Sequence, residues 1–256
     1  MSRPVAFVTG AGSGIGLASA RLLALHGYDL ALFDLDLKAL KSVATIVGGE
    51  RGLHMGGDVS SEADMGRAAQ DIATQFSRLD AVVANAGING VWAPIDDLTP
   101  EEWDTTIRVN LRGTYLTLNK TVPLLKANGA GAIVIVSSIN GVRTFTNPGA
   151  TAYSATKAAQ VAMAEQLALE LGRHRIRINV VCPGAIETNI SASTEIRHPE
   201  DAEVPVVWPE GSVPLTGGQP GVADDVAKVI HFLLSEASGH VTGSPIFVDG
   251  GQGLLR

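Results

Sequence analysis

The residues Thr9-Gly10-Ala11-Gly12-Ser13-Gly14-Ile15-Gly16 decide how the rest of the chain is read. An apolar run, 5–8, leads into them and an amphipathic stretch, 15–26, leaves them. A strand that passes through glycines directly into a helix gathers backbone N–H groups and the positive end of the helix dipole at one opening, which suits a phosphate. Gly10 permits the sharp turn, Gly14 lets the backbone approach a ligand, and Gly16 lets the helix lie close to the sheet. The spacing is Gly-x-x-x-Gly-x-Gly rather than the Gly-x-Gly-x-x-Gly dinucleotide fingerprint, and a diphosphate is the expected guest.

Outward from this turn the same alternation repeats. Short apolar runs at 5–8, 29–33, 54–56, 81–84, 132–136, 178–181 and 246–248 are separated by stretches of helical spacing at 15–26, 61–76, 101–125, 152–172 and 224–234. Ser60 and Thr99-Pro100 are the expected helix starts. Strands covered on both faces read as continuous apolar runs, so the pattern predicts a doubly wound, Rossmann-type parallel α/β sheet of about seven strands with helices on both faces. One domain over 1–256 is expected. Only 189–221, rich in Pro and small polar residues, lacks periodicity and is too long for a turn; it reads as a mobile substrate loop over the site. Gly48-Gly49, Gly56-Gly57, Gly217-Gly218 and Gly250-Gly251 read as turns and packing.

Composition narrows the function classes. The 256 residues are 45% hydrophobic and 18% charged, with 26 acidic against 19 basic side chains and a net charge of −7. That balance provides no footprint for nucleic acid. No run of 18 apolar residues suggests a membrane helix, and the start of the chain shows no signal-peptide core, so a cytoplasmic protein without a membrane partner is expected. The single cysteine, Cys182, ends an apolar run and reads as a small core residue. The six histidines have no paired metal-ligand spacing, so no metal is expected.

Eighteen residues after Gly16 the second strand ends at Asp34, where a carboxylate accepts hydrogen bonds from an adenosine ribose diol. It would repel a 2′-phosphate, and neither Ser13 nor Leu35 supplies a guanidinium, so NAD is expected in preference to NADP. Tyr153 and Lys157 stand four residues apart and share one helix face. A nearby ammonium and a positive nicotinamide ring both favour a phenolate, which makes this pair suited to acid–base work. Ser137 and Ser138 end a buried strand, where one hydroxyl can project at the carboxyl edge of the sheet.

These residues resemble the short-chain dehydrogenase/reductase family over essentially the whole chain. Its motifs occur in order: the 9–16 loop, Asp58-Val59, Asn85-Ala86-Gly87, Val109-Asn110, Ser138, Tyr153-x-x-x-Lys157, Pro183-Gly184 with Thr188, and Val248-Asp249-Gly250-Gly251. The resemblance implies that Tyr153 is the general acid/base, Ser138 holds the substrate oxygen, Lys157 binds the nicotinamide ribose and tunes Tyr153, and Asn110 helps to hold a proton-relay water. It also implies that Gly10, Ser13, Gly14, Ile15 and Gly16 carry the diphosphate, and that Asp58 and Val59 meet the adenine. Asn85, Ala86 and Gly87 would lie along the cofactor, with Pro183, Gly184, Ile186 and Thr188 at the nicotinamide. A homodimer or homotetramer is implied as well.

Two features depart from the family's common pattern. The interval from Ser138 to Tyr153 is about two residues longer, near 143–146, and 127–132 lacks the basic residues that accompany acyl-carrier-protein reductases. The expected reaction is therefore NAD-dependent interconversion of a secondary alcohol and a ketone on a small polar substrate such as a polyol, sugar or hydroxy acid. Asn140, Arg143, Thr144, Asn147 and Glu187 are candidate substrate contacts, while Trp92, Phe145 and Trp208 are candidate covers. The alternatives are a 3-oxoacyl-(acyl-carrier-protein) or thioester reductase and, in another class, a non-catalytic NAD-binding sensor.

Overall fold

Successive side chains of a strand point to opposite faces, so a strand apolar at every position needs cover on both. That is how this chain folds. The computed structural model describes residues 3–43, 52–204 and 213–255. Seven strands, β1 (Val5–Thr9), β2 (Asp29–Asp34), β3 (Leu53–Gly56), β4 (Ala81–Ala84), β5 (Gly131–Val136), β6 (Ile176–Pro183) and β7 (Pro245–Val248), form one sheet in the order β3-β2-β1-β4-β5-β6-β7. Every adjacent pair is parallel. The anticipated doubly wound α/β sheet is present.

Each face has its own core. Val5, Phe7, Phe33, Val82, Ile133, Ile135 and Ile178 point to the side covered by α3 (Glu62–Phe76), α5 (Gly113–Asn128) and α6 (Thr151–Gly172). Their neighbours Ala6, Val8, Leu30, Leu32, Val83 and Val134 point to the side covered by α1 (Gly14–Leu25), α2 (Leu37–Val43) and α8 (Ala223–Leu234). Phe7 and Phe33 are 0% and 1% exposed and meet edge to face at 6.3 Å. Truncating either to Ala would cost about 3–5 kcal/mol.

Local chemistry explains the departures from the sequence reading. The cap of α3 is Ser61, whose hydroxyl accepts from Asp64 N–H, whereas Ser60 bonds to the Asp58 carboxylate. Thr99 caps α4 (Pro100–Thr106) through a full capping box with Glu102. The single helix expected at 101–125 is α4, a π-turn (Ile107–Arg112) and α5 in sequence. The seven-residue α2 was not anticipated because it is too short to show a periodicity.

The 189–221 connection is not structureless within the described residues. Gly90–Trp92 pairs in parallel with Thr194–Ile196, and Ile186–Glu187 with Gly221–Val222. A turn of helix, α7 (Pro199–Ala202), follows. Trp208 and Gly48-Gly49 lie outside the described residues. Among the described residues, no helix is long and apolar enough to cross a membrane.

Candidate active site

The strand order reverses between β1 and β4, so the connections leaving them diverge and open a crevice at their carboxyl ends. The glycine loop leaves β1 at this point with φ +66° at Gly10 and +51° at Gly14, values that side chains rarely adopt. A Cβ at Gly16 would collide with the Gly10 carbonyl. Asn85, just beyond β4, donates through Nδ2 to the carbonyls of Thr9 (3.0 Å) and Gly10 (3.2 Å). Thr9 Oγ1 in turn accepts from Asn85 N–H at 3.0 Å. The loop is thus stapled to the far wall of the crevice before any ligand enters.

The crevice has a volume of about 500 Å³ and is lined on its phosphate side by Gly10, Ser13, Gly14 and Ile15. Asp34, Asp58 and Val59 line one end, and Asn85, Ala86, Gly87 and Thr188 the other walls. Asp34 also braces the loop from within, its Oδ2 accepting Gly12 N–H at 2.8 Å and its Oδ1 accepting Asp36 N–H at 3.0 Å. Arg108 also lines this space and reaches Ser60 Oγ at 3.3 Å and Asp58 at 3.5 Å, a cation that motif reading passed over. Positive-φ glycines, uncapped amides at the start of α1 and a carboxylate at the end of β2 fit a dinucleotide of the NAD type.

Beyond Gly87 lie the groups suited to chemistry. A Cβ on Gly87 would stand 3.1 Å from Asn110 Oδ1 and 3.6 Å from Lys157 Nζ, so both lie close behind this part of the crevice wall. Lys157 Nζ donates to the Val136 carbonyl at 3.0 Å and lies 5.5 Å from the centre of the Tyr153 ring. Tyr153 and Ser138 are each 8% exposed, and the Ser138 hydroxyl is the polar neighbour that acts on the Tyr153 phenol. Burial pushes the Tyr153 phenol above its usual 10.0, and Ser138 works against that rise. Burial also pulls the Lys157 ammonium down from 10.5 to about 8. Ser138, two residues beyond β5, accepts Asn140 N–H at 3.2 Å, which fixes the turn that aims its hydroxyl.

Asn110 stands in the π-turn, fully buried. Its side chain clasps Ile88 in both directions, accepting Ile88 N–H at 2.8 Å and donating to Ile88 O at 2.9 Å. Nδ2 also reaches Thr156 Oγ1 at 3.2 Å, and Thr156 donates to the Tyr153 carbonyl at 2.7 Å. The structure therefore gathers Asn110, Tyr153 and Lys157 behind Gly87, with Ser138 buried alongside.

Other expected residues stand behind the lining. Like Asn110, Ser138, Tyr153 and Lys157, the residues Gly16, Pro183, Gly184 and Ile186 are not on the crevice surface itself. Gly16 sits under the loop, and Pro183 and Gly184 are paired with β7 through Val248. Ile186 packs into the core beside α1 and α8. Arg143 is not offered to a substrate: its guanidinium lies 3.3 Å over the Phe247 ring and 3.9 Å from Asp249. Asn140 and Thr144 are buried, and Glu187 is exposed. Trp92 lies beside the Tyr153 phenol, with ring centres 6.2 Å apart. Cys182 is fully buried, and burial raises its thiol to about 11.

A second cleft of about 480 Å³ opens beside the start of α6. Ala93, Ile95, Phe145 and Gly149 give it apolar walls, while Asn147, Thr151, Ser154, Asp96 and Asp201 supply amide, hydroxyl and carboxylate groups. The segment after Thr194–Ile196 is held by Arg197, which donates to Asp97 Oδ2 at 2.7 Å and to both Glu102 oxygens at 2.9 Å. That contact pulls the Glu102 carboxyl down to about 2.

The comparisons agree with this geometry. A family profile described as Enoyl-(Acyl carrier protein) reductase matches residues 10–252. A 3-ketoacyl-ACP reductase from Sinorhizobium meliloti 1021 superposes with a TM-score of 0.94 at 60% identity, covering 99% of this chain and 100% of that chain. A 3-ketoacyl-(acyl-carrier-protein) reductase from Brucella melitensis complexed with NADH superposes at 0.86, with 32% identity and 98% of each chain covered. Levodione reductase from Leifsonia aquatica is 33% identical over 97% of this chain and 93% of its own length.

Proposed function

The chain belongs to the short-chain dehydrogenase/reductase family of oxidoreductases, and on that premise we propose that it interconverts a secondary alcohol and a ketone with NAD, the ketone being a 3-oxoacyl group. The buried Tyr153, with Lys157 Nζ 5.5 Å from its ring centre and Ser138 buried alongside, carries the proposal. The likeness at 60% identity to a 3-ketoacyl-ACP reductase supports the substrate class.

The nicotinamide, when bound, supplies or accepts the hydride; the protein's part is positioning and proton handling. Gly10 to Ile15 would hold the diphosphate and Asp34 the adenosine ribose. Ser138 would hold the carbonyl oxygen while Tyr153, protonated at neutral pH because it is buried, gives that oxygen its proton. Lys157 would bind the nicotinamide ribose and compensate the charge left on Tyr153. In the oxidative direction Tyr153 takes the hydroxyl proton.

A second reading, a small uncharged or polyhydroxylated ketone, is favoured by one observation. The cleft beside α6 carries Asp96 and Asp201, which disfavour an anionic carrier such as a phosphopantetheine arm. The test is a panel of 3-oxoacyl thioesters, cyclic ketones and keto-sugars with NADH and NADPH, read by nicotinamide absorbance, with Tyr153→Phe as control. Turnover of thioesters supports the first reading, and turnover of free ketones alone replaces it with the second. Equal activity in Tyr153→Phe and parent refutes the catalytic assignment.

A further inference from the structure

Gln160 follows Lys157 by three residues on α6, so it lies on the same helix face, and it is 0% exposed. Beyond it that face is apolar, with Val161, Ala164, Ala168 and Leu171 buried. Gln160 donates through Nε2 to the main-chain carbonyl of Asn110 at 3.0 Å and to Thr114 Oγ1 at 2.9 Å. Thr114 Oγ1 itself donates to the same carbonyl at 2.7 Å. The other atom of the amide, Oε1, is buried without a hydrogen-bond partner. An orphaned acceptor destabilises a fold, so an amide here is a poorer core residue than Met or Leu would be.

What the amide gains is control of the π-turn. A π-turn inserts a residue into the helical repeat and disturbs the regular i→i−4 ladder, so its carbonyls need other partners. Here the Asn110 carbonyl is taken by Gln160 and Thr114, and the Asn110 side chain is left to clasp Ile88. Ile88 and Gly87 line the dinucleotide crevice, and Asn110 Oδ1 and Lys157 Nζ both lie within 3.6 Å of where a Gly87 Cβ would stand.

We propose that Gln160 is a positioning residue: by holding the Asn110 carbonyl it fixes the π-turn that sets the Gly87–Ile88 wall against Lys157. It touches neither cofactor nor substrate. The chain of contact runs from α6 through Asn110 to the wall along which the nicotinamide end would lie, so the inference about turnover rests on the hydride-transfer reading of the crevice. The inference about the wall does not.

Gln160→Met, close in size and without either polar atom, separates the two. Amide hydrogen exchange at Ile88 is expected to speed up about tenfold while the melting temperature stays level or rises, because one hydrogen bond supporting Asn110 is lost and the orphan goes with it. With NADH, measured by fluorescence titration, Kd is expected within about twofold of the parent while kcat falls about tenfold, since the diphosphate and adenosine contacts are untouched. Gln160→Glu, neutral when buried and keeping one donor, should hold Ile88 protection and kcat within about threefold of the parent. If Gln160→Met does not fold, loss of both properties in a folded Gln160→Glu overturns the proposal. Unchanged Ile88 exchange in Gln160→Met overturns it as well. A parent that binds no NADH refutes the hydride-transfer reading, and the Ile88 exchange then still decides whether Gln160 sets the wall.

Discussion

Replacing Asp34 with Ala should collapse the preference for NAD over NADP. The Asp34 carboxylate spends two of its roughly four lone-pair sites on Gly12 N–H and Asp36 N–H, leaving about two for a ribose diol. A hydrogen bond to a charged group contributes about 1.5–3 kcal/mol, so NAD stands to gain about 3 kcal/mol or more there. A 2′-phosphate carries about −1.5 to −2 charges, and at roughly 4 Å each unit pair costs between about 1 kcal/mol in water and about 4 kcal/mol near a protein surface. Asp34 is only partly buried, which favours the low end, about 2 kcal/mol, or roughly a 30-fold discrimination from repulsion alone. The assay is kcat/KM with each cofactor at fixed substrate. In Asp34→Ala the NAD/NADP ratio should fall at least about 30-fold, almost wholly through KM, because Tyr153 and Lys157 are grouped behind Gly87 and make no contact with Asp34. Asp34→Asn separates the two effects: it removes the charge and keeps one acceptor, so a shift as large as that of Ala means repulsion dominates. A parent that uses NADP as well as NAD refutes the reasoning and turns attention to Arg108, the cation in the same space.

Other expectations follow from the site's electrostatics. Tyr153 titrates above its usual 10.0, so kcat/KM for alcohol oxidation should climb with pH while ketone reduction declines; Tyr153→Phe should lose at least about 10²-fold in both and keep NADH affinity in titration. The buried Lys157 binds its proton less readily when folded, about 8 against 10.5. The unfolded chain therefore holds more protons in that interval, and cofactor-free stability should rise between about pH 8 and 10.5, by about 3 kcal/mol in denaturant titrations. Lys157→Met should abolish the rise. Glu102 has the same sign at the acid end: its support of Arg197 is complete above pH 4.5 and is lost as pH falls towards about 2. Arg197→Met should raise the proteolysis rate within 189–204 at neutral pH and raise KM for the cofactor more than it changes kcat.

Much of this architecture was legible in the sequence because it is local. Val5 to Val8 and Ala81 to Ala84 are apolar at every position, which only a strand buried on both faces explains, and Tyr153 and Lys157 share a helix face by spacing alone. What escaped is non-local. Gln160 meets Asn110 across 50 residues and Arg197 meets Asp97 across 100, and neither pairing leaves a periodic trace. The π-turn was hidden for another reason: 101–125 keeps a helical composition throughout, and a single inserted residue does not interrupt it. Arg143 was offered to the substrate as a cation, but the Phe247 ring and Asp249 that occupy it come from the far end of the chain.

The pairing of Gly90–Trp92 with Thr194–Ile196, closed by Arg197 on Asp97 and Glu102, has a consequence for re-engineering. Two connections that are a hundred residues apart in sequence behave as one exchangeable part. A chimaera that imports only the later connection from a relative brings strand partners and a guanidinium with no matching socket. One that imports 89–102 together with 186–204 carries both halves of the fastening. The helices and strand ends bearing Ser138, Tyr153 and Lys157 stay outside the transplanted pieces, so new substrate range can be sought without rebuilding the chemistry beneath it.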